Sequence, residues 1–128
     1  MTSDAEQPII WAIRYTQEAI KNISLTWNHF AESADQDVAD AWESGLKTEI
    51  SKLAQYPQRF ALEEEDGIFS VPIRKMMYRR TRRSAAYFVY FTLRTSPEDA
   101  PTLLIMHIRH TAQAPITRKE AREIEGSE

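Results

Sequence analysis

The sequence contains no cysteine, which excludes disulfide bridges, thiol nucleophiles and thiolate metal sites and fits a reducing, cytoplasmic setting. No apolar run approaches the roughly 20 residues that a membrane-spanning helix needs, so we expect no membrane partner. The apolar stretch 9–13 follows an acidic leader, whereas a secretory signal peptide needs a basic one. No motif indicates a cofactor or a metal ion, and we expect neither. The fold must therefore rest on side-chain packing alone.

The length of 128 residues fits one domain, because globular domains most often contain roughly 100–150 residues. With 42% hydrophobic and 27% charged residues, the composition is that of an ordinary soluble globular protein. We divide the chain into a flexible leader (1–8), a single domain (9–110) and a polar C-terminal tail (111–128) in which a short helix is an option.

Charge is distributed unevenly along a chain whose formal net charge is only −3. Residues 1–66 carry five Lys/Arg against thirteen Asp/Glu, a net charge of −8, whereas residues 67–119 carry ten against two, a net charge of +8. The basic half contains the run from Arg74 to Arg83, which has six basic residues and no acid. Clustered arginines attract phosphate or acidic protein surfaces, although Lys and Arg also line solvated strands and turns without any ligand.

Hydrophobic spacing predicts a strand and two helices in the first half of the chain. Alternation over 9–15 predicts the strand, and Thr16 can then cap a helix. A second helix ends at Tyr56-Pro57, because a residue before proline disfavours the helical conformation. Two helices with a short connection predict an αα-hairpin that packs on a sheet. The predicted inward positions are Ile9, Trp11, Ile13 and Tyr15 in the strand, Ile20, Ile23, Trp27, Phe30 and Ala34 in the first helix, and Val38, Ala41, Trp42, Leu46, Ile50 and Leu53 in the second.

The second half of the chain is predicted to be mostly strand. After a solvated acidic turn at 63–67, strands are predicted at 73–78, 85–94 and 103–109, with a loop at 96–101. The last two are apolar on both faces, which places them inside the sheet. Thr117 and Glu120 have capping-box spacing, which predicts a marginal C-terminal helix. We expect an α+β fold in the order β-α-α-β-β-β, with a helical hairpin packed on a small, mainly antiparallel sheet of about four strands.

This order of features resembles the RelE/ParE superfamily of bacterial toxins, which includes plasmid-stabilization proteins. The resemblance spans roughly residues 9–110 and is carried by the aromatic end of the first strand, Leu53 and Tyr56-Pro57, Ile73-Arg74, the aromatic strand 87–91 and the stretch Leu104 to Arg109. It implies the toxin of a type II toxin–antitoxin system, neutralised by a cognate antitoxin whose tail wraps the sheet and the helices.

Members of the superfamily differ in their targets. The resemblance implies either a RelE-like enzyme that cleaves mRNA in the ribosomal A site, or a ParE-like protein that acts on DNA gyrase. This sequence has no tyrosine after Tyr90, whereas many RelE-like enzymes keep one near the C-terminus, and its segment 61–71 holds acids where those enzymes keep lysines. Both departures favour the ParE-like branch and therefore binding rather than catalysis.

If the protein is instead an endoribonuclease (mRNA interferase), the reaction needs a base, an acid and cations around the phosphate. The resemblance then implies a site made from His107, Arg109, His110, Arg80 and Arg83. Strand alternation puts His107 with Arg109, and puts His110 on the opposite face with Met106 and Ile108. Structural roles are the alternative for both residues: His107 would be a hydrogen-bonded histidine beside the apolar core, and Arg109 would pair with an acid.

For binding of a target or an antitoxin, the candidate residues are Arg74, Arg79, Arg80, Arg82, Arg83 and Arg109. Alternation puts Arg74 and Lys75 on opposite faces of their strand, so the strand itself cannot present every charge to one ligand. The arginines at 79, 80, 82 and 83, which we call the basic turn, can fan out together toward phosphate or carboxylate groups. Tyr78 or Tyr87 could stack a base beside them, although Tyr87 is in register with core positions.

The expected partners are a cognate antitoxin and, as target, DNA gyrase or the ribosome with its mRNA. A homodimer and a toxin–antitoxin hetero-oligomer both remain open. A third interpretation is an inactive or orphan family member, or a nucleic-acid-binding module, that uses the same basic surface.

Overall fold

The structure is a computed structural model that describes residues 9–63 and 68–128. The predicted leader and most of the predicted acidic turn lie outside the described residues. The elements are β1 (Ala12–Tyr15), α1 (Gln17–Ser33), α2 (Gln36–Lys52), β2 (Arg74–Arg79), β3 (Ala86–Arg94), β4 (Thr102–His110) and α3 (Arg118–Glu125), with a 3-10 turn at Pro57–Arg59. This order confirms the predicted α+β fold. Within the described ranges, no helix is long and apolar enough to cross a membrane.

The four strands form one mixed sheet in the order β1-β4-β3-β2. β2 and β4 both pair antiparallel with β3, and β1 pairs parallel with β4. The two central strands are β3 and β4, as their apolar faces predict, and most of their side chains are buried on both faces of the sheet. The first strand is shorter than predicted, since the Trp11 amide donates to the carbonyl of Ala54, two residues after α2, rather than to the sheet.

The helical hairpin of α1 and α2 covers one face of the sheet and forms the main core with it. Burying one large apolar side chain there contributes about 1.5–3 kcal/mol. The predicted inward positions differ from the structure at four residues. Ile9 and Ile20 are each 51% exposed, and Ala19 is fully buried in place of Ile20. Ala34, the C-cap of α1, and Ala41 are also exposed. The core is built from Trp11, Ala19, Ile23, Trp42, Leu46, Ile50, Leu53, Met76, Tyr78, Tyr87, Val89, Phe91, Leu103, Ile105 and Ile108.

Thr16 joins the first strand, the first helix and the last strand. Its hydroxyl accepts from the Ala19 amide at 3.0 Å, which caps α1 as predicted, and donates to the carbonyl of Met106 at 2.8 Å. Its own amide donates to the carbonyl of Ile105 at 2.9 Å. The side chain is fully buried, so the satisfied hydroxyl avoids the desolvation cost that a buried polar group otherwise carries.

α2 approaches β2 so closely at Gly45 that a side chain has no room. A Cβ atom at this position would lie 2.3 Å from the hydroxyl oxygen of Tyr78, and that hydroxyl donates to the carbonyl of Trp42 at 3.0 Å. Glycine inside a helix costs about 0.5–1 kcal/mol relative to alanine. The close contact between helix and strand explains why glycine is found here.

α3 covers part of the opposite face of the sheet, and its predicted capping box between Thr117 and Glu120 is present. Beneath it lies a second apolar cluster of Ile73, Leu104, Met106 and Ile124. Strand pairing shifts between Tyr90 and Phe91, which lie opposite His107 and Ile105 respectively. This β-bulge turns the extra residue, Met106, toward α3, because a bulge interrupts the alternation of side chains. The grouping of Met106 with Ile108 and His110 by strict alternation was therefore wrong.

Candidate functional site

The basic turn connects β2 to β3 and is braced by its own backbone. The Ser84 amide donates to the carbonyl of Thr81 at 3.1 Å, which closes a β-turn with Arg82 and Arg83 at its two central positions. Arg79 donates to the carbonyl of Ser84 at 3.2 Å. All four arginines of the turn are exposed. The structure thus brings these four predicted residues together on one protruding hairpin.

Arg74 does not join this group. Its guanidinium is half-buried and donates to the carbonyls of Gln58, at 3.2 Å, and Phe60. These bonds fix the segment that follows α2 against the start of β2. Arg74 therefore has a structural position, on the side of the sheet that faces the helical hairpin.

The two tyrosines beside the turn are buried and cannot stack a base. Tyr78 and Tyr87 are 4% and 5% exposed, and burial raises the pKa of both phenols. Tyr87 packs edge-on against Trp42 at 5.4 Å between ring centroids, as its register with the core predicts. The suggestion that Tyr78 stacks a base was wrong, because the approach of α2 at Gly45 encloses its ring.

A mixed basic and apolar surface continues from the turn along the sheet face that α3 leaves uncovered. Met77 is 57% exposed on this face and lies opposite the half-buried Phe88. The Lys75 ammonium is 4.1 Å from the centroid of the Phe88 ring and 3.0 Å from the carboxylate of Glu63. Apolar side chains are therefore bordered by cations, as at many protein interfaces.

β2 forms one edge of the sheet. In the part of the chain that the structure describes, its outer side carries only a single bridge, between Leu62 and Arg74. Unpaired amides and carbonyls on an edge can bind another strand, and basic side chains there discourage pairing with a second copy of the same edge. The edge from Lys75 to Arg79 therefore suits a strand of opposite charge.

His107 and Arg109 form a second polar group, beneath α3. Only 6% of His107 and 8% of Arg109 is exposed. The Arg109 Nε and Nη2 atoms donate to the carbonyl of Ala114 at 3.0 and 2.7 Å. Its Nη1 lies 3.2 Å from a carboxylate oxygen of Glu120 and 3.3 Å from His107 Nε2. The charge of Arg109 is thus satisfied inside the protein.

Burial, reinforced by the charge of Arg109, lowers the pKa of His107 to about 4, and the carboxylates of Glu18 and Glu120 only partly oppose this. The imidazole is therefore neutral at pH 7. Because a guanidinium has no acceptor, the contact with Arg109 assigns the lone pair to Nε2 and the proton to Nδ1. With its lone pair facing Arg109, His107 has no free base to offer a substrate in this conformation.

The remaining candidates of the nuclease hypothesis lie elsewhere. His110 is on the helical-hairpin face, where its ring contacts Tyr87 edge-on at 5.1 Å and its Nδ1 accepts from the Ala112 amide at 2.9 Å. Arg80 and Arg83 are exposed on the basic turn. The five residues are therefore divided among three surroundings. Across the described ranges, no cluster of His, Asp or Glu could hold a metal ion.

Sequence patterns did not reveal the partners of His107 and Arg109. Glu18 Oε2 lies 3.6 Å from His107 Nδ1 and accepts from the Asn22 amide group at 2.9 Å, while Asn22 Oδ1 accepts from the Ile108 amide. These contacts join α1 to β4 across the chain, and no local spacing encodes them. The capping-box spacing predicted that Glu120 caps α3, but it did not indicate that Glu120 also contacts Arg109.

No protein-family profile matches the chain, and no curated protein matches it in sequence. Among solved structures, the chain matches one described as "Chromosomal ParDE TA system from P. aeruginosa", with a TM-score of 0.59 and 14% identity over 79% of this chain and 96% of that one. This chain has a ParE-like fold. The ParE-like fold confirms the resemblance read from the sequence at the level of architecture, and at this identity it concerns the fold alone.

Proposed function

We propose that this protein is the toxin of a type II toxin–antitoxin system, that it acts in the cytoplasm by binding a cellular target such as DNA gyrase, and that a cognate antitoxin neutralises it. One contrast supports binding over cleavage. The basic turn is exposed, whereas His107 and Arg109 are buried and bonded to each other and to the C-terminal segment. On a ParE-like fold, this contrast favours the turn as the contact surface.

The target surface that we propose is the basic turn together with the C-terminal region. Arg80, Arg82 and Arg83 form no ion pair with any described residue, so target binding breaks no salt bridge seen within the described ranges. Arginine donates two parallel hydrogen bonds to a carboxylate or a phosphate. Exposed charges of one sign also increase the rate of encounter with an oppositely charged partner.

The antitoxin surface that we propose is the sheet, at the edge of β2 and the adjoining face around Met77. An acidic, extended antitoxin segment would pair with the unpaired edge and neutralise Arg79, since Lys75 is already paired with Glu63. The same acidic segment can reach the basic turn, which would block the target surface directly. Size-exclusion chromatography of the protein with the product of a neighbouring short reading frame tests this pairing, and separate elution at micromolar concentrations would contradict it.

A supercoiling assay tests the target. Purified protein is titrated into gyrase, ATP and relaxed plasmid, and we expect loss of supercoiling near stoichiometric protein. Addition of the antitoxin before gyrase should restore it. Unchanged supercoiling at stoichiometric protein would contradict gyrase as the target.

Ribosome-dependent cleavage of mRNA is the second candidate function, favoured by the position of His107 beside Arg109 on one face of β4; it requires a conformation in which the Nε2 lone pair no longer faces Arg109. Primer extension on translated mRNA should then show new 5′ ends, which His107→Gln and Arg109→Ala should each abolish. For the third interpretation, an inactive or orphan protein, growth of a bacterial host that expresses the chain without antitoxin should be normal.

A further inference from the structure

A pocket of about 380 Å³ opens on the sheet face opposite the helical hairpin. Ile73 and Tyr90 line it from the sheet side, and the segments before β2 and before α3 form two of its walls. Neither His107 nor Arg109 is among the described residues that line it. The pocket lies at the start of β2, whereas the basic turn follows the end of that strand. It is therefore separate from both groups of residues described above.

The wall that precedes β2 is fixed by hydrogen bonds to two neighbouring elements. The Ser70 amide and hydroxyl donate to the carboxylate of Glu125 in α3, at 2.7 and 2.9 Å. The Thr92 hydroxyl of β3 donates to the carbonyl of Pro72 at 2.7 Å. The pocket is thus formed in the free protein, so a ligand loses little binding free energy to ordering its walls.

Most of the described side chains in the pocket are apolar. Ile68, Val71 and Ile116 line it and are only half-buried. The rings of Phe69 and Tyr90, whose centroids are 6.4 Å apart, add aromatic surface. A flat ring can pack against such surfaces in an offset or edge-on arrangement, and covering them removes apolar area from water. This lining and volume are those of a small-molecule site, for which about 300–1,000 Å³ is typical.

Two charged side chains also line the pocket, and they pair with each other. The Lys75 ammonium lies 3.0 Å from the carboxylate of Glu63, and the two side chains are 27% and 24% exposed. An anionic ligand would be repelled by Glu63, and a cationic one by Lys75. An uncharged polar group can donate to the carboxylate or accept from the ammonium while the ion pair stays intact. The pair therefore selects against a net charge on the ligand.

We propose that this pocket binds a small, uncharged aromatic molecule with one polar substituent. The ring packs between Ile73, Tyr90 and the wall at Val71, and the polar substituent meets the pair of Lys75 and Glu63. This inference goes beyond the binding of a target or an antitoxin and depends on neither.

Indole is a suitable probe, because it is flat and uncharged and has a single N–H donor. In protein with 13C-labelled isoleucine methyl groups, indole should shift the resonances of Ile73 and Ile116 with saturation, at a Kd of about 1 mM or less. The methyl groups of Ile50 and Ile105, which lie in the core beneath the helical hairpin, should not shift. No saturable shift at millimolar indole, or equal shifts of all four methyl groups, would overturn the pocket as the binding site.

Filling the pocket should abolish binding. We expect Val71→Trp to weaken indole binding at least about tenfold, because the new side chain occupies the space of the ligand. If that variant does not fold, Leu62→Trp replaces it, at a lining position that is 47% exposed. The control is Leu25→Trp, at a position of α1 that is 56% exposed, which should bind indole like the wild type. Wild-type affinity in a folded, filled variant would overturn the proposal.

Charged analogues with the same ring test the role of the ion pair. Indole-3-acetate and tryptamine should each bind the wild type at least about tenfold more weakly than indole. In Glu63→Gln, Lys75 loses its partner, so indole-3-acetate should bind at least about tenfold more tightly than it binds the wild type. Analogues that bind as tightly as indole would overturn the assigned ligand chemistry. Indole binding and gyrase inhibition are measured separately, so failure of the pocket and failure of the proposed function are distinguishable.

Discussion

The contact between Gly45 and Tyr78 gives a quantitative test of how α2 is seated on the sheet. In Gly45→Ala, the new Cβ would lie 2.3 Å from the Tyr78 hydroxyl oxygen. Alanine gains about 0.5–1 kcal/mol over glycine in a helix, but overpacking typically costs about 1–3 kcal/mol. We therefore expect Gly45→Ala to lower the free energy of unfolding by about 1–2 kcal/mol.

Removal of the hydroxyl should reverse the sign of this effect. Tyr78→Phe loses one buried hydrogen bond to the Trp42 carbonyl, which costs about 1 kcal/mol. In the Tyr78→Phe background, the nearest ring atom to a Cβ at position 45 would be Cζ, at 3.3 Å, so a small shift of the ring accommodates the methyl group. Gly45→Ala should then be neutral or stabilising by up to about 1 kcal/mol.

The double-mutant cycle isolates the contact. We expect a coupling free energy of about 2 kcal/mol between the two positions, measured by urea unfolding of the four proteins with tryptophan fluorescence as the signal. Additive effects, or a Gly45→Ala protein more stable than the wild type, would refute this account of the glycine.

Two further measurements concern buried polar groups. The folded-state pKa of His107, about 4, lies below the ordinary 6.5, so its contribution to stability is fully present above about pH 6.5 and is lost as the pH falls toward 4. Between about pH 7 and pH 5, the free energy of unfolding of the wild type should fall by about 2 kcal/mol more than that of His107→Gln, as measured by urea unfolding at each pH. Thr16→Ala removes a helix cap and a buried bond and should cost about 2 kcal/mol in the same assay, whereas Thr48→Ala, at an exposed position of α2, should stay within about 0.5 kcal/mol of the wild type.

Local patterns predicted the elements well, because their signals are local. The period of apolar residues indicated α2, β3 and β4, and Thr16 and Thr117 were recognised as caps from their spacing to the helices that follow. The parallel pairing of β1 with β4 was not predictable from such patterns, since the sequence of a strand does not specify which strand it pairs with. The bulge at Met106 was equally invisible, because it is a shift of register between β3 and β4, and the pairing of two strands is not encoded in the local sequence of either.

The candidate site was predictable only in part. Contiguous arginines in a turn are visible in the sequence, and the structure places them together. Burial of Tyr78 depends on the helix that passes over it at Gly45, and the engagement of Arg109 by Glu120 depends on where α3 docks. Both are contacts between residues far apart in the sequence, so residue type and spacing could not predict them.

The central claim is that the basic turn binds the target, and the affinity of gyrase for the immobilised protein tests it most directly. The variant Arg80→Ala, Arg82→Ala, Arg83→Ala should bind at least about tenfold more weakly, a loss of about 1.4 kcal/mol. The control Lys21→Ala, Lys52→Ala removes exposed cations from the helices and should bind like the wild type. No binding of the wild type at micromolar concentrations, or equal affinity for all three proteins, would contradict the claim.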